Sequence, residues 1–300
     1  MIADTGKIVV AGGDMRQVFL AEILSSKGYR VTACGLCGRT DDHRIRRADT
    51  LKEALEDADV VAAPVPFFSA GKISGKYQIS DMDVETLLRE MTENGILFGG
   101  NIPSDVGKRF RDRGVTVYDM MKDEYVAMQN TAATAEGAIA EAIKRSPRNL
   151  SKSRCMVLGY GRCGSTLALL LRGFSCHLTV VERDAARAAG ASVLADRVLT
   201  GQGLAEEIGD AEFIFNTVPE KILNREELLR VKKSAWIFDL ASSPGGADYT
   251  AASELSLNVM PLPGLPGKYS PETSAEILAG FIGNRLGALP ADRFCKGSVV

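Results

Sequence analysis

Short apolar runs recur along this 300-residue chain, and they alternate with segments whose apolar positions repeat every three to four residues. Runs of the first kind signal strands buried on both faces of a parallel sheet, and repeats of the second kind signal helices laid over it. In the first half the pattern predicts strands over 7–13, 29–34, 59–63, 95–99 and 116–118. Helices are predicted over 15–26, 51–57, 83–92 and 105–113, with Val18, Phe19, Ile23 and Leu24 on one face of the first. Residues 72–76 read as loop. A long alanine-rich helix is expected over 123–146, interrupted around Asn130–Thr134. In the second half strands are predicted over 155–158, 178–181, 213–216, 235–239 and 257–260, with helices at 164–173, 184–190, 203–208, 225–231 and 248–254. A last helix, 271–286, places Ile277, Leu278, Phe281 and Ile282 on one face. The fold class is α/β: two Rossmann-like, doubly wound parallel-sheet domains with an inter-domain cleft. The expected division is an N-terminal domain over 1–128, a connecting helix over 129–149 and a second domain over 150–270. A C-terminal helix over 271–287 would pack back toward the first domain, followed by a tail over 288–300.

One stretch organises the second domain, Cys155-Met-Val-Leu-Gly-Tyr-Gly-Arg-Cys-Gly-Ser165. Gly159, Gly161 and Gly164 stand in G-x-G-x-x-G spacing between a predicted strand and a predicted helix. The first glycine permits the tight turn, the second lets a pyrophosphate approach the backbone, and the third lets helix and strand pack closely. Helix-start N–H groups, including those of Arg162 and Cys163, would face the phosphates. The next strand ends at Glu182-Arg183, where side chains meet the adenine ribose. The first domain opens differently, with Gly12-Gly13-Asp14 in the corresponding turn. A carboxylate there opposes phosphate, so that domain is read as Rossmann-like without the cofactor.

Composition narrows the class. Hydrophobic residues make up 45% and charged residues 25%, as in a folded globular protein, and the net charge of −2 gives no electrostatic basis for nucleic acid or an anionic membrane. The N-terminus lacks a charged-then-apolar leader pattern, and Ile8–Ala11 is too short to span a bilayer, so a cytoplasmic protein is expected. Its six cysteines then read as free thiols. Cys34-Gly-Leu-Cys37 has C-x-x-C spacing, but no second such pair exists and the histidines are only His43 and His177, so no metal site is expected.

Three loops follow strands of the second domain: Asn216-Thr217-Val218-Pro219, Asp239 to Gly246 with Ala241 and Ser242, and Pro261 to Pro271 with Gly264. At the carboxyl ends of a fingerprint sheet they are expected to surround the dinucleotide.

Four segments resemble a known family: Asn130-Thr-Ala-Ala-Thr-Ala-Glu-Gly-Ala-Ile139, Gly159-Tyr-Gly-Arg-Cys-Gly164, Asp239-Leu-Ala-Ser-Ser-Pro-Gly-Gly246 and Pro263-Gly-Leu-Pro-Gly-Lys-Tyr-Ser-Pro271. Together with the Gly12-Gly-Asp14-x-Arg16 opening they are similar to the dipicolinate synthase A-subunit family of spore-forming bacteria. The resemblance implies oxidation of a dihydrodipicolinate-type ring to pyridine-2,6-dicarboxylate, with hydride transfer to a nicotinamide dinucleotide. It further implies a partner, the flavoprotein-like B subunit, and the mother-cell cytoplasm of a sporulating bacterium. A homo-oligomer is left open. A dianionic substrate needs cations and neutral donors, and Arg16, Lys122 and Lys268, with Ser104 and Thr134, are the candidates. Asp14, Glu124 and Glu136 are the candidate bases, with Glu136 also a candidate substrate or cofactor contact. No histidine is placed for a His–carboxylate dehydrogenase pair. For the cofactor, Glu182 favours a ribose diol and Arg183 a 2′-phosphate. NADP is expected over NAD, provided Glu182 points to the opposite face of its strand. Two other readings remain: a different two-domain dehydrogenase of the alanine or 2-hydroxyacid type, and a dinucleotide-sensing module without turnover.

Overall fold

The computed structural model describes residues 6–288, apart from 70, 78, 201, 202 and 243. The expected tail lies, beyond Ala288, outside the described residues. The chain divides into two compact units, one over 1–127 and 270–300, the other over 128–269.

Unit 1 is built from β1 (Lys7–Ala11), α1 (Met15–Ser26), β2 (Val31–Cys34), β3 (Arg46–Ala48), α2 (Leu51–Leu55), β4 (Ala58–Ala62), a β5–β6 hairpin (Phe68–Ser69, Lys72–Ile73), α3 (Val84–Glu90), β7 (Ile96–Gly99), α4 (Ser104–Asp112) and β8 (Thr116–Asp119). Its sheet has the order β3-β2-β1-β4-β7-β8, parallel throughout. Ile8 to Ala11 are wholly buried, as the continuous apolar run requires of a central parallel strand. Side chains of Asp14, Thr50 and Asp83 accept backbone N–H groups at the starts of α1, α2 and α3, which fixes where those helices begin.

The long helix α5 (Glu124–Arg145) begins in unit 1 and continues into unit 2. It is not interrupted at Asn130–Thr134. Thr131 Oγ1 donates to Met128 O at 2.7 Å and Thr134 Oγ1 to Asn130 O at 3.0 Å, so the threonines turn their hydroxyls back onto the helix and the alanines carry it through. From Ala135 on, α5 is an element of the second core rather than a bare connector. Ala135, Ala138, Ile139 and Ala142 pack with Leu167, Leu171 and Phe215.

Unit 2 continues with β9 (Arg154–Leu158), α6 (Arg162–Gly173), β10 (His177–Val181), α7 (Ala185–Ala191), β11 (Arg197–Leu199), α8 (Leu204–Glu207), β12 (Phe213–Asn216), α9 (Arg225–Arg230), β13 (Trp236–Asp239), α10 (Tyr249–Glu254), β14 (Asn258–Pro261) and α11 (Leu265–Tyr269). The sheet order is β11-β10-β9-β12-β13-β14, again all parallel. The order reverses between β9 and β12, the switch point at which such sheets take ligands at their carboxyl ends. The Pro-Gly segment expected as loop contains α11. Finally α12 (Pro271–Gly287) belongs to unit 1, where Ala275, Leu278, Ala279 and Ile282 share a core with Leu20, Ala21 and Leu24 of α1.

Candidate functional site

The carboxyl edge of unit 2 is shaped by backbone before any side chain reaches it. α6 starts at Gly161 with no side-chain cap. A Cβ added at Gly161 would meet nothing within 4 Å, so open space lies against the backbone at the start of a helix. A Cβ at Gly164 would instead collide with Gly159 O and stand 3.1 Å from Thr217 Oγ1. The third glycine is therefore a packing requirement, and the second leaves room for a ligand. That pairing fits a pyrophosphate on the helix N-terminus. Cys163, half-buried beside this start, has its thiol pushed up by burial.

Glu182 directly follows β10 and is 6% exposed. Its Oε2 accepts Tyr160 N–H at 2.8 Å and its Oε1 accepts Asp184 N–H at 2.9 Å. The carboxylate thus faces the glycine turn. The condition set for NADP, that it turn to the opposite face of the strand, is not met: both oxygens are held by backbone N–H groups, one of them in the glycine turn. The neighbouring Arg183 is exposed and bidentate with Glu220, at 2.9 and 3.0 Å.

Strand register places Asn216 opposite Asp239 at the end of the sheet, and both are buried. Asn216 Nδ2 donates to Asp239 Oδ1 at 2.9 Å and to Val218 O at 3.0 Å, while Asn216 Oδ1 accepts Val218 N–H. Asp239 also accepts Ala241 N–H, Gly246 N–H at 2.9 Å and the Tyr249 hydroxyl at 2.6 Å. Burial and this contact push the Tyr249 hydroxyl pKa up. Asn216 and Asp239, both expected as cofactor contacts, anchor the two loops through these bonds. Thr217 Oγ1 likewise donates to Leu158 O at 2.9 Å and ties its loop to β9. Val218, Pro219, Ala241, Ser242 and Gly264 remain at or near the surface on these loops.

The expected catalytic side chains lie in different settings. Glu136, on α5, is exposed, and its carboxylate makes no hydrogen bond or ion pair with a described residue. Thr134 returns its hydroxyl to Asn130 O. Lys268 is not a free cation. Its Nζ donates to Glu141 Oε1, which also accepts the Tyr269 hydroxyl at 2.6 Å, and Arg145 Nε holds the other oxygen at 2.8 Å. Glu141 is completely buried, and these donors, Lys268 first, bring its carboxyl down to about 2. No motif or spacing in the sequence points to this cluster. It pins α11 to α5, and Gly137 permits the approach, since a Cβ there would lie 2.9 Å from the Tyr269 ring.

In unit 1, Arg16 is buried and closed on Asp14: Nε and Nη2 donate to its carboxylate at 2.9 and 2.8 Å, and Nη2 also reaches Val65 O. Burial alone would raise the Asp14 carboxyl, but Arg16 outweighs it and the net shift is downward. Asp14 also caps α1 through Arg16 N–H. Gly13 N–H donates to Ser74 O at 2.7 Å and Lys76 N–H to Gly13 O, so a protein segment covers the turn that a phosphate would use. Ser104 starts α4 and is exposed; Lys122 lies 4.0 Å from Asp119. His177 begins β10, at the amino edge of the unit 2 sheet, and His43 lies in unit 1. Cys34 and Cys37 are free thiols; burial pushes Cys34 up to about 12. Among the described residues no cluster of three or more metal-ligating side chains occurs, and no helix is long and apolar enough to cross a membrane.

Comparison with known proteins matches two successive stretches of the chain to two families. Residues 7–121 match the family described as the N-terminal domain of the dipicolinate synthase A subunit, and residues 120–244 match the NAD-binding domain of D-isomer-specific 2-hydroxyacid dehydrogenases. The dipicolinate synthase A subunit of Bacillus subtilis (strain 168) is 32% identical over 167 residues. That alignment spans 56% of this chain and 56% of the relative, little more than half of either. The solved structure of the same kind of dipicolinate synthase chain from Bacillus subtilis superposes with a TM-score of 0.82 at 25% identity, covering 94% of this chain and 96% of that one. The dipicolinate synthase A subunit from Bacillus halodurans shares the fold with a TM-score of 0.87 at 23% identity, over 97% of this chain and all of the other.

Proposed function

We propose, for a chain that is a relative of the dipicolinate synthase A subunits in sequence and in fold, that it oxidises a dihydrodipicolinate-type ring to pyridine-2,6-dicarboxylate. Its second unit carries a dehydrogenase-type NAD-binding domain. The observation that carries the reading is the backbone cradle at Gly161, open to a ligand at an uncapped helix start and flanked by the fixed Glu182 carboxylate.

A bound nicotinamide dinucleotide supplies the hydride acceptor. The chain's own work is to hold it and to manage a proton. With the dinucleotide bound, the start of α6 would hold the pyrophosphate, Glu182 would accept from the adenine ribose, and the loops anchored by Asn216 and Asp239 would wall the site. Forming the aromatic ring removes a hydride from one saturated carbon and a proton from its neighbour. Glu136 is the proposed acceptor of that proton, since its exposed carboxylate is not engaged by any described side chain. Lys268 has no part in it, being committed to Glu141. The position of His177 at the amino edge of the sheet counts against a histidine-dependent hydroxyacid oxidation at the carboxyl edge. A companion B subunit of flavoprotein type, working with this chain in the mother cell during sporulation, belongs to the same proposal and rests on the relatives' designation as A subunits.

The test is a coupled assay. Aspartate semialdehyde and pyruvate are passed through a dihydrodipicolinate-forming synthase, this chain is added with NAD or NADP, and reduced nicotinamide and pyridine dicarboxylate are followed together. Matched appearance of both is expected. Absence of both, with the companion protein present, overturns the assignment.

A further inference from the structure

Glu220 is delivered to the ribose end of the cradle by a rigid route. Asn216, buried at the end of β12, bonds Val218 through both ends of its amide. That closed turn carries Pro219 and then Glu220, whose two carboxylate oxygens take both terminal nitrogens of Arg183. Arg183 directly follows Glu182, and Glu182 cannot swing away, because it is buried and held by Tyr160 N–H and Asp184 N–H. The pair is exposed on both sides, so it adds little to stability. Its consequence is electrostatic: the cation at the end of β10 is already matched.

We propose that Glu220, by neutralising Arg183 beside the fixed Glu182, makes unit 2 selective for the dinucleotide without a 2′-phosphate. This rests on the dinucleotide site proposed above and adds which dinucleotide it takes and which residue decides. A ribose diol is neutral and donates hydrogen bonds. Glu182, an ionised carboxylate with roughly four acceptor positions, keeps capacity for it after its two backbone contacts. A 2′-phosphate carries about −1.5 to −2 charge at neutral pH. It would meet two carboxylates and a single guanidinium, so the balance at the site is repulsive. Removing the charge at Glu220 leaves one carboxylate and one guanidinium, and the bias relaxes.

The experiment is equilibrium binding of NADH and NADPH to the full chain, read by nicotinamide fluorescence, for the unaltered protein, E220Q and the double variant R183A/E220Q. All of these changes fall on exposed side chains. The unaltered protein is expected to bind NADH at least about tenfold tighter than NADPH. E220Q should tighten NADPH by about fivefold or more while NADH stays within about twofold, and adding R183A should abolish the gain. The NADH preference should also shrink as salt is raised, because the opposing charges are solvent-exposed. NADPH binding as tight as NADH to the unaltered protein, or an unchanged ratio in E220Q, overturns this inference and leaves the dinucleotide site standing. Binding of neither dinucleotide overturns the inference and the site together.

Discussion

Two glycines of the fingerprint do different physical work, and substitution separates them. Gly161 has backbone angles that any residue adopts, φ −75° and ψ −164°, and its missing side chain faces open space. Gly161→Ala should therefore fold with a melting temperature close to that of the unaltered chain, yet bind dinucleotide at least about tenfold more weakly, because the methyl takes the place of the pyrophosphate. Gly164→Ala should lose both, since its methyl meets Gly159 O and forces helix and strand apart; a cost of about 1–3 kcal/mol in chemical denaturation is expected. Equal dinucleotide affinity for Gly161→Ala and the unaltered chain would remove the phosphate from that position. Charged side chains resist the same residue-by-residue reading. Arg16 finds its partner two residues away and Lys268 finds Glu141 127 positions away. Residue type and loop position alone would have left both cations free for substrate.

At the scale of elements, strands of the sheet interiors were legible because burial on both faces demands uninterrupted apolar runs. The edge strands β8 and β14 were legible too, but β3 and β11 were not. β3 is Arg-Arg-Ala and β11 is Arg-Val-Leu, each three residues with a polar face, and no period shows in so short a span. The helix α11 was hidden by the proline and glycine of Leu-Pro-Gly-Lys-Tyr, which ordinarily punctuate loops. Its stability comes from tertiary contact: Leu265 in the core, the Tyr269 ring against Gly137, and Lys268 and Tyr269 on Glu141. That contact has a pH signature. The folded-state pKa of Glu141, about 2, lies below the ordinary carboxyl value of 4.5, so its contribution is fully present above pH 4.5 and is lost as pH falls toward 2. The contribution amounts to up to about 3 kcal/mol. Denaturant unfolding of unit 2 across that window should weaken with falling pH, and E141Q should flatten the slope while lowering stability at neutral pH. An unchanged slope in E141Q would place the acid sensitivity elsewhere.

Across the whole molecule, one architecture occurs twice and is put to different uses. Both sheets have the doubly wound order and both open with a strand, a glycine turn and a helix. In unit 1 the turn is filled from within, by Asp14 on the helix start and by the Ser74–Lys76 segment over Gly13. In unit 2 the corresponding turn is left open at Gly161. The difference was readable as G-G-D against G-x-G-x-x-G, although the covering segment was not, because it returns from about sixty residues downstream. The central claim, that this open turn serves ring oxidation, is tested most directly by following the hydride itself. A dihydrodipicolinate deuterated at its saturated carbons is given to the full chain with oxidised dinucleotide, and the reduced nicotinamide is analysed by mass. The account predicts one deuterium in the reduced nicotinamide for each pyridine dicarboxylate formed. Pyridine dicarboxylate appearing with no label in the nicotinamide would contradict it.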